Sequence, residues 1–217
     1  MDIQSTAIEQ TSLPPQAVIM QIACGAMMTQ ALGLAAKLGI ADLLKDGPKS
    51  ITEIAEATST HAPSLYRILR SLAGEGVFRE SSPKIFENTD LSNVLRSGVP
   101  GSLRSGTIFM AEPWHYNVWG NMLHSVRTGE TAWKKTHGDE VFDWFAKHPE
   151  ESEIFNNAMT DMSASVAPAV VEAYDFSGIE TLADIAGGHG FLLSQILKAN
   201  PGIKGILFDV PPVIAGG

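Results

Sequence analysis

The chain is poor in cysteine, in basic residues and in clustered metal ligands, and each shortage narrows what it can be. Cys24 is the only cysteine in 217 residues, so an intrachain disulfide and a multi-cysteine zinc site are both excluded. The six histidines (His61, His115, His124, His137, His148 and His189) are scattered, and none falls into zinc-ligand spacing. Lys and Arg number 15 against 24 Asp and Glu, a net charge of −9, which opposes general affinity for nucleic acid or an anionic membrane. The first residues lack the basic stretch of a secretory signal, and a reducing cytoplasm fits the single thiol. Val18 to Ala36 is free of charge, but Gln21, Thr29 and Gln30 interrupt it and no Lys or Arg precedes it. A buried helix is expected there rather than a membrane span. No internal repeat or low-complexity tract is present. With 44% hydrophobic and 18% charged residues, the composition is globular.

What is present centres on Thr181-Leu-Ala-Asp-Ile-Ala-Gly-Gly-His-Gly190. Leu182–Ala186 is a short apolar run containing one acid, Asp184. The glycine cluster Gly187, Gly188 and Gly190 follows. Then Leu192, Leu193, Ile196 and Leu197 repeat at helical spacing. The unit reads as strand, glycine turn, helix. Glycines allow a sharp turn and let a ligand approach the backbone. A second strand, Gly205–Asp209, ends on an acid 19 residues after Gly190. In a dinucleotide-type fold that position meets the ribose hydroxyls. The glycine spacing is not G-x-G-x-x-G, which favours a nucleoside ligand without a diphosphate, such as S-adenosylmethionine. Blander readings exist for each part. The turn alone can be a tight connection, Asp209 alone can cap a helix before Pro211 and Pro212, and His189 reads as a solvent-edge residue.

In chain order, residues 1–13 are expected to be a flexible N-terminus. Residues 14–100 read as a winged-helix dimerisation domain. Pro14-Pro15 opens a helix to about Lys37 with apolar residues on nearly every face: Val18, Ile19, Met20, Ile22, Met27, Met28, Leu32 and Leu34. Such a helix needs cover all round, and a homodimer through residues 14–45 would supply it. A short helix follows at about Ile40–Lys45. Ser50 and Glu53 form a capping box, and Leu65, Ile68, Leu69 and Leu72 share one face of the next helix. Val77–Arg79 and Ile85–Phe86 read as a hairpin, completing a winged helix. DNA binding is opposed by charge, because residues 51–90 hold four basic and six acidic side chains.

Residues 101–170 read as helices that link the two domains and face an acceptor. Ser102–Val126 carries Phe109, Met110, Trp114, Tyr116 and Trp119. Gly129 and Gly138 bracket an expected loop around Trp133, and helices are expected at Val141–Phe145 and Glu153–Met162. Phe155 and Met159 share a helix face. Aromatics and methionines on adjacent helices can be core or can form a flat slot for a planar ligand, and the spacing leaves both open. Residues 171–217 hold the start of a Rossmann-like domain. The fold class is thus a mostly α N-terminal part followed by the start of an α/β Rossmann-like domain.

The ordered set Trp119–Gly129, Phe155–Met159, Tyr174–Gly178, Thr181–Gly190 and Phe208–Pro211 resembles the S-adenosylmethionine-dependent O-methyltransferases of the caffeate, acetylserotonin and bacterial antibiotic type. The resemblance runs from about residue 15 to the end. It implies that Gly187, Gly188 and Gly190 approach the methionine and ribose of S-adenosylmethionine. Asp184 would hold the turn or reach the methionine amine, and Asp209 would bind the ribose. Ser163 would contact cofactor or substrate, while Met110, Trp114, Phe155 and Met159 would line the pocket of a small aromatic acceptor. The family often has a third glycine where Ala186 stands. Its adenine-binding acid and catalytic histidine fall beyond Gly217, so no catalytic residue is carried over, and an inactive N-terminal fragment is the expectation. A non-catalytic dimerisation protein and a winged-helix regulator are the rival readings.

Overall fold

The computed structural model describes residues 14–214. The expected flexible segment 1–13 lies outside the described residues. The first helix, α1 (Pro15–Lys37), starts with proline in its first turn, where the missing N–H costs nothing. Its two halves differ. Ile19, Met20, Ile22 and Met27 are 60–71% exposed, whereas Ala31, Gly33, Ala35 and Ala36 are buried. The small residues let the later helix at Arg104–Ala111 cross closely, with Gly33 against Ala111. Gln30 Nε2 donates to the Ala111 carbonyl at 3.0 Å, and Lys37 pairs with the buried Glu112 at 2.5 Å. By length and composition α1 is also long and apolar enough to cross a membrane, with a mean hydropathy of 1.5.

The winged helix follows: α2 (Ile40–Leu43), β1 (Lys49–Ser50), α3 (Ile51–Ala57), α4 (Ala62–Gly74), β2 (Phe78–Ser82), β3 (Ile85–Asn88) and α5 (Asp90–Asn93). The Ser50–Glu53 capping box is formed in both directions. Leu65, Leu69 and Leu72 of α4 are buried with Ile40, Ile54, Phe78 and Phe86 in one core. The expected hairpin is present, with a bulge between Glu80 and Ser82. The structure adds a third strand, since β1 pairs antiparallel with β3 to give the order β1-β3-β2.

Beyond the wing, the stretch expected to run from Ser102 to Val126 divides into α6 (Arg104–Ala111), α7 (Pro113–Gly120) and α8 (Met122–Thr128). Pro113 ends α6 because it lacks the N–H that would continue the ladder. The Trp133 segment is a helix, α9 (Ala132–His137), rather than a loop. Thr131 caps it by accepting from the Trp133 N–H at 3.2 Å. Next come α10 (Val141–Lys147) and α11 (Pro149–Ala173). The last is far longer than the expected Glu153–Met162 and runs through the 170/171 boundary. β4 (Thr181–Ile185), α12 (Phe191–Ala199), β5 (Lys204–Phe208) and α13 (Pro211–Ile214) complete the described chain. β4 and β5 are parallel, with Asp184 opposite Leu207 and Ile185 opposite Phe208. Gly205 passes beneath Leu193 and Leu197 of α12.

Candidate cofactor and acceptor site

The glycine turn joins the end of β4 to α12. A β-carbon on Gly187 would lie 2.5 Å from the Asp184 carboxyl carbon and 2.6 Å from a Leu207 methyl, so only glycine fits above that acid. The Asp184 carboxyl thus lies directly against the turn. Gly188 is left-handed, with φ +59°, and a β-carbon there would meet nothing within 4 Å, so its outer face is open. Parallel pairing brings the end of β5 alongside. Asp209 Oδ2 accepts the Gly188 N–H at 2.8 Å, and Oδ1 accepts the Val210 N–H at 2.7 Å. The strand-end acid and the glycine turn are thus in direct contact, with Asp209 also ordering the backbone that follows it.

Ala186 also has a left-handed backbone, with φ +59°. An L residue there costs about 1–2 kcal/mol. Ala186→Gly relieves that cost, partly offset by the greater freedom of glycine in the unfolded chain. The expected net gain, up to about 1 kcal/mol, is read from the urea midpoint of the variant against the parent.

On α11, Phe155, Met159 and Ser163 are spaced by four and form one stripe, each partly buried. Phe155 stacks on Phe145 at 4.9 Å and meets Phe109 edge-on at 5.8 Å; Phe109 lies 5.6 Å from Trp114. Behind them Trp133, Trp144 and Phe145 are buried as a second core. The aromatics therefore divide. Trp133, Trp144 and Phe145 are packing, whereas Trp114 and Phe155 form a partly buried margin. Met110, next to Phe109, is about half exposed. A cleft of about 490 Å³ also opens among the 97–105 segment, Thr160, Asp161, Ala164 and Phe191, and none of the four expected pocket residues lines it.

His115 lies 4.1 Å from the Phe109 ring. Burial holds it below the ordinary histidine range, against a smaller opposing pull from the Met110 carbonyl. The unfolded chain then takes up this proton more readily than the folded one. Its contribution to stability is full above about pH 6.5 and is lost as pH falls below that value. Urea midpoints at pH 5.5 and 7.5 should differ in that direction, with the difference reduced in His115→Phe.

His189 is partly exposed and also makes a contact inward. Its Nδ1 lies 3.1 Å from Thr160 Oγ1, linking the glycine turn to α11. Thr160 was not legible in the sequence, because its partner is 29 residues away and no local pattern marks the pair.

Two family profiles match the chain: an O-methyltransferase dimerisation domain over residues 20–98 and an O-methyltransferase domain over residues 119–217. The phenazine O-methyltransferase of Lysobacter antibioticus is 48% identical over 202 residues, covering 93% of this chain and 59% of that protein. The crystal structure of LaPhzM superposes with a TM-score of 0.91 at 47% identity, covering 94% of this chain and 61% of the other. The mitomycin biosynthesis 6-O-methyltransferase of Streptomyces lavendulae is 40% identical over 190 residues, covering 87% of this chain and 54% of that protein. Human N-acetylserotonin methyltransferase, solved in complex with S-adenosylmethionine, gives a TM-score of 0.86 at 25% identity, covering 96% of this chain and 63% of that one. The chain belongs to the O-methyltransferase family that pairs a dimerisation domain with a methyltransferase domain. It spans a little over half the length of these curated relatives.

Proposed function

We propose that this chain carries the donor-binding and acceptor-facing parts of an S-adenosylmethionine-dependent O-methyltransferase acting on a small aromatic hydroxylated metabolite. The observation that carries the reading is the Gly188–Asp209 hydrogen bond beside an open glycine face. When bound, S-adenosylmethionine supplies a methyl group activated on a sulfonium. Gly187, Gly188 and Gly190 would present backbone to it, Asp209 would accept from the ribose hydroxyls, and Asp184 and Ser163 would bound the methionine end. Met110, Trp114, Phe155 and Met159 would hold a planar ring, which suits the flat aromatic margin beside the second core. Their task is orientation and exclusion of water.

A hydroxyl acceptor also needs a group to take its proton. Among the described residues, His124–Glu130, at 3.3 Å, is the one histidine–carboxylate pair, and Glu130 is exposed on the loop after α8. We therefore read these 217 residues as inactive on their own. The exposed apolar half of α1 suits a second copy, giving a homodimer through residues 14–45 in the cytoplasm, with neither DNA nor membrane as partner.

The test is transfer of labelled methyl from S-adenosylmethionine to hydroxylated phenazines and phenols. The chain alone should give no turnover. The chain fused to the remaining length of the Lysobacter enzyme should give turnover and sediment as a dimer. Turnover by the chain alone, abolished by Gly188→Trp, overturns the inactivity.

A further inference from the structure

We propose that His189 is a positioning residue, pinning the glycine turn to α11 so that the donor site and the acceptor stripe keep a fixed spacing. The inference rests on reading that turn as the donor site. A threonine hydroxyl has one hydrogen. Thr160 Oγ1 lies 3.0 Å from the Asn156 carbonyl, which can only accept, so the hydroxyl hydrogen goes there. The contact to His189 Nδ1 at 3.1 Å must then run the other way, with Nδ1–H donating to Oγ1. The neutral ring accordingly carries its proton on Nδ1 and leaves Nε2 bare.

The pin is one of two links made by adjacent residues of α11. Asp161, the next residue, accepts the Ser105 N–H at 2.9 Å in the first turn of α6. One turn of α11 thus holds the glycine turn through Thr160 and α6 through Asp161. The turn is held from its other side by Asp209 on the Gly188 N–H. Thr160 follows Met159 directly and precedes Ser163 by three residues, so the pin and the acceptor stripe share one rigid helix. A displacement of about 1 Å between reacting groups can cost a hundredfold in rate, so a tether at this point governs alignment and not only folding.

The test uses the purified 217-residue chain without ligand. Imidazole nitrogen NMR should show His189 protonated at Nδ1 and not at Nε2. Amide exchange at Gly187, Gly188 and His189 should quicken about fivefold to tenfold in Thr160→Val and in His189→Phe, the loss of one hydrogen bond. Thr160→Ser, which keeps the hydroxyl, should restore the parent rate. Amides of β2 and β3 serve as the reference for global unfolding and should not change. An Nε2-protonated ring, or turn amides exchanging alike in Thr160→Val and Thr160→Ser, overturns the proposal. Failure of the donor-site reading looks different. Millimolar S-adenosylhomocysteine would then leave the turn amides unprotected in the parent, while the Thr160 variants still differ from each other and the pin stands.

Discussion

Phe86→Ala should lower the folding stability of the winged helix by about 3–5 kcal/mol, the usual cost of deleting a fully enclosed ring. Phe86 has no exposed surface. It sits on the central strand of the small sheet, opposite Lys49 on one side and Glu80 on the other, with the Tyr66 ring edge-on at 6.0 Å. Neither flanking strand can close the hole without breaking register. Domains are stable by only about 5–15 kcal/mol, so the variant keeps a small margin or none. Urea unfolding followed by circular dichroism gives the shift, and sedimentation shows whether self-association falls with it. A midpoint equal to the parent would mean that Phe86 does not anchor this core.

Asp209→Ala is expected to weaken S-adenosylhomocysteine binding by roughly a hundredfold or more in the fusion with the remaining length of the Lysobacter enzyme. A hydrogen bond to a charged acceptor contributes roughly 1.5–3 kcal/mol, and the ribose offers two hydroxyls. The same substitution frees the Gly188 N–H from its 2.8 Å partner and so loosens the turn itself. Asp209→Asn separates the two effects. It keeps an oxygen for Gly188 but loses the charge, so it should fall between parent and alanine. Calorimetric titration measures all three, and an unchanged affinity in Asp209→Ala removes this residue from the site.

The elements that could be read from sequence were those written in local patterns. The Ser50–Glu53 box, the Leu65–Leu69–Leu72 face and the acid at the end of β5 each sit within a few residues of their cause. The six-residue helix α9 was read as a loop because it is too short to display a period, and its one signal is the single cap at Thr131. Two-residue β1 was invisible for the same reason. The aromatics of α7, α9 and α10 could not be divided into packing and pocket margin, since that depends on which rings stack across helices. The Thr160–His189 link needed the fold, because its partners lie 29 residues apart on separate elements.

α1 answers to two different neighbours along one axis. Its C-terminal half is locked at Gly33 against Ala111 and by Lys37 on Glu112, where almost any enlargement meets backbone or methyl at once. Its N-terminal half shows Ile19, Met20 and Ile22 to the outside, where shape within the chain sets no limit. Ala31, Gly33, Ala35 and Ala36 therefore constrain the sequence through the chain's own fold, and Ile19, Met20, Ile22 and Met27 constrain it only through whatever surface meets them. The first half of the helix is free to drift among apolar side chains, while those four positions of the second half are held to the smallest residues available.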